Sequence, residues 1–158
     1  MGLFDFFGGG GKSSREVRHL RMTLEPVEGT EILQGQPAQL KLTVKASGGT
    51  PVRAAYLAFD LVNRREERRG LFERLVTQSR FVYRFNLDHD LEPNTEWVHK
   101  LTFLPPVCRE GTRHSKYVSI LWEILPQLTC GPSGAPVPHP PPFCLVGQKL
   151  EVEVHSRR

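Results

Sequence analysis

Cysteine is scarce in this chain, and long hydrophobic runs are missing altogether. Cys108, Cys130 and Cys144 are the three cysteines, an odd number with no C-x-x-C spacing. They read as free thiols in a reducing compartment rather than as a disulfide framework. A zinc site would have to use all three with His114 or His139, and it is the weaker reading. No apolar stretch approaches the roughly 20 residues of a spanning helix. The N-terminus lacks the basic n-region, long h-region and small-residue cleavage site of a secretory signal. Phe6 stands where N-myristoylation wants serine or threonine, so the expected location is cytoplasmic. The fingerprints G-x-S-x-G, H-E-x-x-H, the P-loop and the dinucleotide turn are all absent. Gly8 to Gly11 before Lys12 do not replace a P-loop, which needs a preceding strand. No enzyme activity, cofactor or metal is expected. Lysine is scarce too: most of the 21 basic residues are arginine, interleaved with 17 acidic ones to a net charge of +4. Mixed charge of this kind reads as a solvated surface, not as a nucleic-acid footprint.

What is present begins with an oddity. Met1-Gly2-Leu3-Phe4-Asp5-Phe6-Phe7 carries three of the nine phenylalanines, and four glycines follow. Each aromatic ring can bury roughly 150–250 Å², so this tip asks for a pocket. Residues 8–14 read as a glycine-rich tether that spans about 15 Å. Leu3, Phe4, Phe6 and Phe7 would share a face in one helical turn, which needs a surface to form on. They are the candidate partner-binding residues: aromatic anchors on a flexible peptide suit a partner's groove. The tip could instead cap the end of its own domain. With no basic residues beside it, peripheral membrane contact is a weaker reading than a protein partner or self-association.

From residue 15 the pattern is that of β-structure. Leu20, Met22 and Leu24 alternate with polar residues, and Ala38, Leu40, Leu42, Val44 and Ala46 do so more strictly. That period of two marks strands with one wet and one packed face. Val52 to Val62 is more apolar and less regular, which suits a central strand. The charged run Arg64 to Arg69 follows; with Leu71, Phe72, Leu75 and Val76 it fits either a short helix or a hairpin. Phe81, Tyr83, Phe85 and Leu87 alternate, a turn is expected over Asp88 to Asn94, and Trp97, His99, Leu101 and Phe103 share the next face. Strands are expected at Lys116 to Leu125 and roughly Gln148 to His155. A proline-rich loop is expected between them, over 126–142. Seven or eight strands and no convincing helix give an all-β antiparallel, immunoglobulin-like sandwich. The domain reading is a tip and tether at 1–14 and one sandwich at 15–158.

Few side chains in this pattern suggest chemistry. Asp88, His89 and Asp90 could form a metal or acid–base group, but turn aspartates more often bond the local backbone. His99, in phase with Trp97, Leu101 and Phe103, reads as a packed histidine. Tyr83, Trp97 and Trp122 read as core rather than as a ligand groove. Arg64 to Arg69 could attract an acidic partner or anionic lipid, but its two glutamates weaken the field.

The order of strands resembles the arrestin-like superfamily and, within it, the bacterial sporulation-control type of protein. The resemblance is carried by the turn and alternating strand Leu33-Gln34-Gly35-Gln36-Pro37-Ala38-Gln39-Leu40-Lys41-Leu42-Thr43-Val44. It continues in the strand Val52 to Leu61, the segment Asn86 to Pro105, the strand Ser115 to Glu123 and the closing Leu150 to Val154. It spans roughly residues 17–155, a length for one sandwich where many relatives have two. Its motifs specify a fold better than a function, and it carries no binding residue onto this chain. What it implies is a non-enzymatic adaptor or regulatory protein acting by protein–protein contact. The alternative is a structural subunit of a virion or appendage, with the aromatic arm reaching into its neighbour.

Overall fold

The computed structural model describes residues 20–27, 32–107, 110–137 and 143–156. Every element among them is a strand. In chain order these are β1 (Leu20–Pro26), β2 (Ile32–Leu33), β3 (Ala38–Ala46), β4 (Val52–Arg68), β5 (Arg74–Leu91) and β6 (Thr95–Phe103). After them come β7 (Arg113–His114), β8 (Val118–Pro132), β9 (Phe143–Val146), β10 (Leu150–Val152) and β11 (Val154–His155). The N-terminal tip and tether lie outside the described residues.

Two antiparallel sheets form the sandwich. One runs β1-β3-β6; the other runs β10-β8-β4-β5, with β7 and β9 also pairing on β8. A short parallel pair, β11 with β2, closes one end. The strict alternation of β3 explains its central place: Leu40, Leu42 and Val44 turn inward, each fully buried. They meet Leu57, Phe59 and Leu61 of β4 and Ile120, Trp122, Ile124 and Leu128 of β8, none more than 1% exposed. Each such side chain contributes about 1.5–3 kcal/mol of burial free energy, so this one cluster is what holds the sheets together.

The irregular strand at Val52 is central, between β8 and β5, and its irregularity has a cause. The registers of β4 against both neighbours shift between Ala54 and Tyr56. Ala54 and Ala55 are consequently both buried, and on β5 the extra residue falls near Asp88, whose φ is 47°. A bulge accommodates an unpaired residue in this way and sharpens the local twist.

Several expected boundaries move. Asp88 to Leu91 belong to β5, and the turn is confined to residues 92–94, where the Thr95 hydroxyl donates to the Glu92 carbonyl at 2.6 Å and Asn94 takes a φ of 59°. Residues 64–76 are a hairpin, not a helix: β4 and β5 stay paired out to Arg68 and Arg74. The expected last strand is split, because Leu150–Val152 pairs with β8 while Val154–His155 crosses to β2.

The proline-rich stretch also begins later than 126, since β8 runs on to Pro132. Pro126 is tolerated within this strand because of which side it faces. Its carbonyl accepts from the Gly147 N–H at 3.0 Å, and in an antiparallel ladder a residue's N–H and C=O face the same neighbour. The missing N–H therefore points toward the 147–149 connector between β9 and β10. The ladder with β4 loses nothing there.

Strand lengths leave an overhang. At 3.2–3.4 Å per residue, the nine residues of β3 or β6 span about 30 Å and the 18 of β5 about 60 Å. The outer halves of β4 and β5, with the start of β8, run past the smaller sheet.

Candidate docking surface on the overhang

Along the inner face of the overhang the side chains change character while the period of two continues. Leu57, Phe59 and Leu61 on β4 give way to Asn63, Arg65 and Glu67. Their partners on β5 change in step from Phe85, Tyr83 and Phe81 to Ser79, Thr77 and Leu75. Phe81 stacks on Trp122 with ring centroids 6.4 Å apart and marks where the core ends. The Trp122 indole N–H donates to the Glu110 carbonyl at 3.1 Å, which draws residues 110–112 over the polar stretch. Between them lies a groove of about 430 Å³ lined by Asn63, Arg65, Thr77, Gln78, Ser79, Glu110 and Ile120.

Two features of this groove stand out. Asn63 is only 6% exposed, and its side-chain Nδ2 has no hydrogen-bond partner among the described residues. A buried donor left this way costs about 1–3 kcal/mol. Beside it Arg65 is fixed as a fork, Nε to Glu67 Oε1 and Nη1 to Glu110 Oε1, both at 2.8 Å. Arg69 reaches the other Glu67 oxygen at 3.1 Å. The hydrogen bonds from Arg65 and then Arg69 hold the Glu67 carboxyl below its ordinary range. Those from Glu110 and Glu67 raise Arg65 in turn.

On the far side of the groove, β5 ends its sheet: β4 is the one strand paired with it among the described residues. Toward β6 the seam is closed by rings. Phe59 stacks on Tyr83 at 5.0 Å and on Phe85 at 5.8 Å and meets Phe103 edge-on at 5.2 Å. The Tyr83 hydroxyl donates to the Leu104 carbonyl at 2.8 Å. On the outer face Arg80 pairs with Asp60 at 2.6 Å and the Arg84 guanidinium lies 3.8 Å over the Tyr56 ring. The β5 backbone at 74–80 thus runs along the free edge of its sheet, beside the groove.

The residues singled out from sequence are distributed differently. Leu3, Phe4, Phe6 and Phe7 lie outside the described residues. Strand alternation separates Asp88 and Asp90 from His89: both aspartates face Arg53, at 3.4 and 3.9 Å, while His89 stacks on Trp97 with centroids 4.0 Å apart. They do not converge on a common point. His99 is packed as its phase implies, stacked with Trp97 at a centroid distance of 5.2 Å. Trp122 is fully buried. Cys108 and His139 lie outside the described residues, among which no group of three metal-ligating side chains assembles. Cys130 is buried, and desolvation, aided by neighbouring Cys144, pushes its thiol up to about 12; it stays protonated and inert. The groove itself was not anticipated. Its sequence signal is the alternation of Asn63, Arg65 and Glu67 continuing the phase of Leu57, Phe59 and Leu61.

The fold is an arrestin-like β-sandwich. The chain is similar in structure to Spo0M, a sporulation control protein from Bacillus subtilis, with a TM-score of 0.61 at 14% sequence identity. That match covers 88% of this chain and 50% of Spo0M, so the chain spans about half the length of that protein. At this identity the likeness establishes the fold alone. No protein-family model matches the sequence, and no curated protein matches it.

Proposed function

We propose that this chain is a non-catalytic regulatory or adaptor protein that binds a protein partner along the overhang of its larger sheet. The observation that carries the reading is the groove at Asn63, with a buried amide donor awaiting an acceptor beside an edge strand at the limit of its sheet. An extended peptide supplies both requirements: its backbone adds to the β5 edge at 74–80, and a carbonyl or side-chain acceptor reaches Asn63. Strand addition of this kind draws affinity from main-chain hydrogen bonds and specificity from the pocket beneath. The mixed lining, with Arg65 and Glu110 both present, suits a partner segment that carries both donors and acceptors. The resemblance to a sporulation control protein is consistent with a regulatory role for such a scaffold. Leu3, Phe4, Phe6 and Phe7 are proposed as a second anchor on the same partner.

The test is quantitative affinity purification of the tagged full chain from its native cell, in parallel with Ser79→Arg. That substitution puts a bulky cation into the groove at the half-buried strand position paired with Asn63. The partner recovered with the wild type is expected to fall at least several-fold with the variant at an unchanged melting temperature. Equal recovery of the same protein with both chains contradicts the groove as the docking site.

A further inference from the structure

The end of the overhang carries a second surface of different chemistry. The hairpin between β4 and β5 turns at residues 69–73, with the Arg69 N–H donating to the Glu73 carbonyl at 2.9 Å and Gly70 at a φ of 113°. At its apex Leu71 is 93% and Phe72 is 99% exposed. Nothing in the fold requires apolar residues there: a two-strand turn is served as well by polar side chains. The neighbouring β7–β8 turn ends beside it, since the Arg68 N–H donates to the Tyr117 carbonyl at 2.8 Å. It adds Tyr117, itself 60% exposed, and Lys116, whose ammonium lies 5.3 Å from the Tyr117 ring.

Charge around this apex is unbalanced. Glu66 is committed to Arg74 at 2.9 Å, and Glu67 to Arg65 and Arg69. Arg68, Arg113 and Lys116 are then left with no carboxylate partner among the described residues, against one uncommitted carboxylate, Glu73. Between the two turns is a shallow hollow of about 140 Å³ lined by Arg68, Lys116, Ser115, Ser119, Glu66 and the Tyr117–Val118 segment. It offers two cations and two serine hydroxyls, with its one carboxylate, Glu66, already paired to Arg74.

We infer that this end of the molecule docks on an anionic lipid surface. Leu71 and Phe72 enter the acyl boundary, Tyr117 lies at the interface, and Arg68 and Lys116 take a headgroup phosphate in the hollow. An apolar apex flanked by cations is the arrangement that the boundary between headgroups and acyl chains rewards, with burial and attraction to anionic lipid acting together. Aromatic rings of the tyrosine type settle at the interface because one end is apolar and the other wet. The groove at Asn63 opens on the inner face of the same hairpin, so lipid contact at the apex leaves it accessible.

The experiment is flotation of the full chain with vesicles of phosphatidylcholine alone and of an equimolar mixture with phosphatidylglycerol. Binding is expected to the anionic vesicles only, and to weaken as salt screens the cations. Leu71→Ser combined with Phe72→Ser is expected to reduce it roughly tenfold or more, and Arg68→Gln with Lys116→Gln to reduce it at low salt. All four positions are exposed, so the variants are expected to keep the wild-type melting temperature. A Phe72→Trp chain gives an independent reading: its emission is expected to shift to the blue with anionic vesicles and to stay put with neutral ones. Three results overturn the inference: no binding to anionic vesicles, binding indifferent to the serine pair, or loss of a captured protein with the serine pair and no vesicle binding by the wild type. The last would assign the apex to a protein pocket.

Discussion

Asn63 occupies a position that packing alone would give to leucine. It follows Leu57, Phe59 and Leu61 in phase, pairs with Trp122 and Ser79 across the sheet, and has a buried Nδ2 without an acceptor among the described residues. Replacing both the polar group and its unmet need by an apolar group of similar size is expected to stabilise. Asn63→Leu should raise unfolding free energy by about 1 kcal/mol, read from denaturant midpoints, while weakening partner recovery. A fall in stability would show that the amide is satisfied and the groove is not poised for a ligand. Residue-scale chemistry also separates the site from its surroundings. Asp88 and Asp90 pair with Arg53, and burial pushes the Cys130 thiol up.

At the scale of elements, the β4–β5 hairpin is two structures in sequence. Its inner half is fixed by core rings such as Phe59 and Phe85, while its outer half rests on the Arg65–Glu67–Arg69–Glu110 network. Glu67 is held below its ordinary value of 4.5 by Arg65 and Arg69. Its stabilising contribution is therefore present above that ordinary value and lost as pH falls through the lower folded one. Hydrogen exchange should accordingly show amides of 64–78 losing protection at acid pH, and in high salt, before those of 54–61 do. Simultaneous loss across the hairpin would show that the network does not govern its outer half. These elements were unequally legible in the sequence. Strands β1, β3 and β6 could be read because one face is wet and the alternation is clean. The hairpin at 64–76 could not, because Arg64-Arg65-Glu66-Glu67-Arg68-Arg69 carries no apolar period, and a tip with Leu71 and Phe72 exposed imitates a short amphipathic helix. Pro126 hid the second half of β8 for a different reason: which side a missing N–H faces depends on the neighbouring strands, not on the local sequence.

Considered as a whole, the molecule is an arrestin-like sandwich in which one sheet outgrows the other. The fold was visible from the sequence because turns and alternation mark the strands of such a sandwich. The docking surface was not, because it is made by long-range pairing: Asn63, Ser79 and Glu110 meet only when β4, β5 and the segment leading into β7 are brought together over Trp122. The unequal sheets give the surface its separate parts, a polar groove along the overhang and an apolar, cationic apex beyond it. Together they suit the proposed role, a partner held beside an anionic lipid surface. The central claim, that the overhang is where a protein partner binds, is tested most directly by hydrogen exchange. The full chain would be compared free and in complex with the partner recovered by affinity purification. The expected result is new protection at the amides of residues 74–80, with the β1–β3–β6 sheet unchanged. Protection confined to that smaller sheet, with 74–80 exchanging as in the free chain, would contradict it.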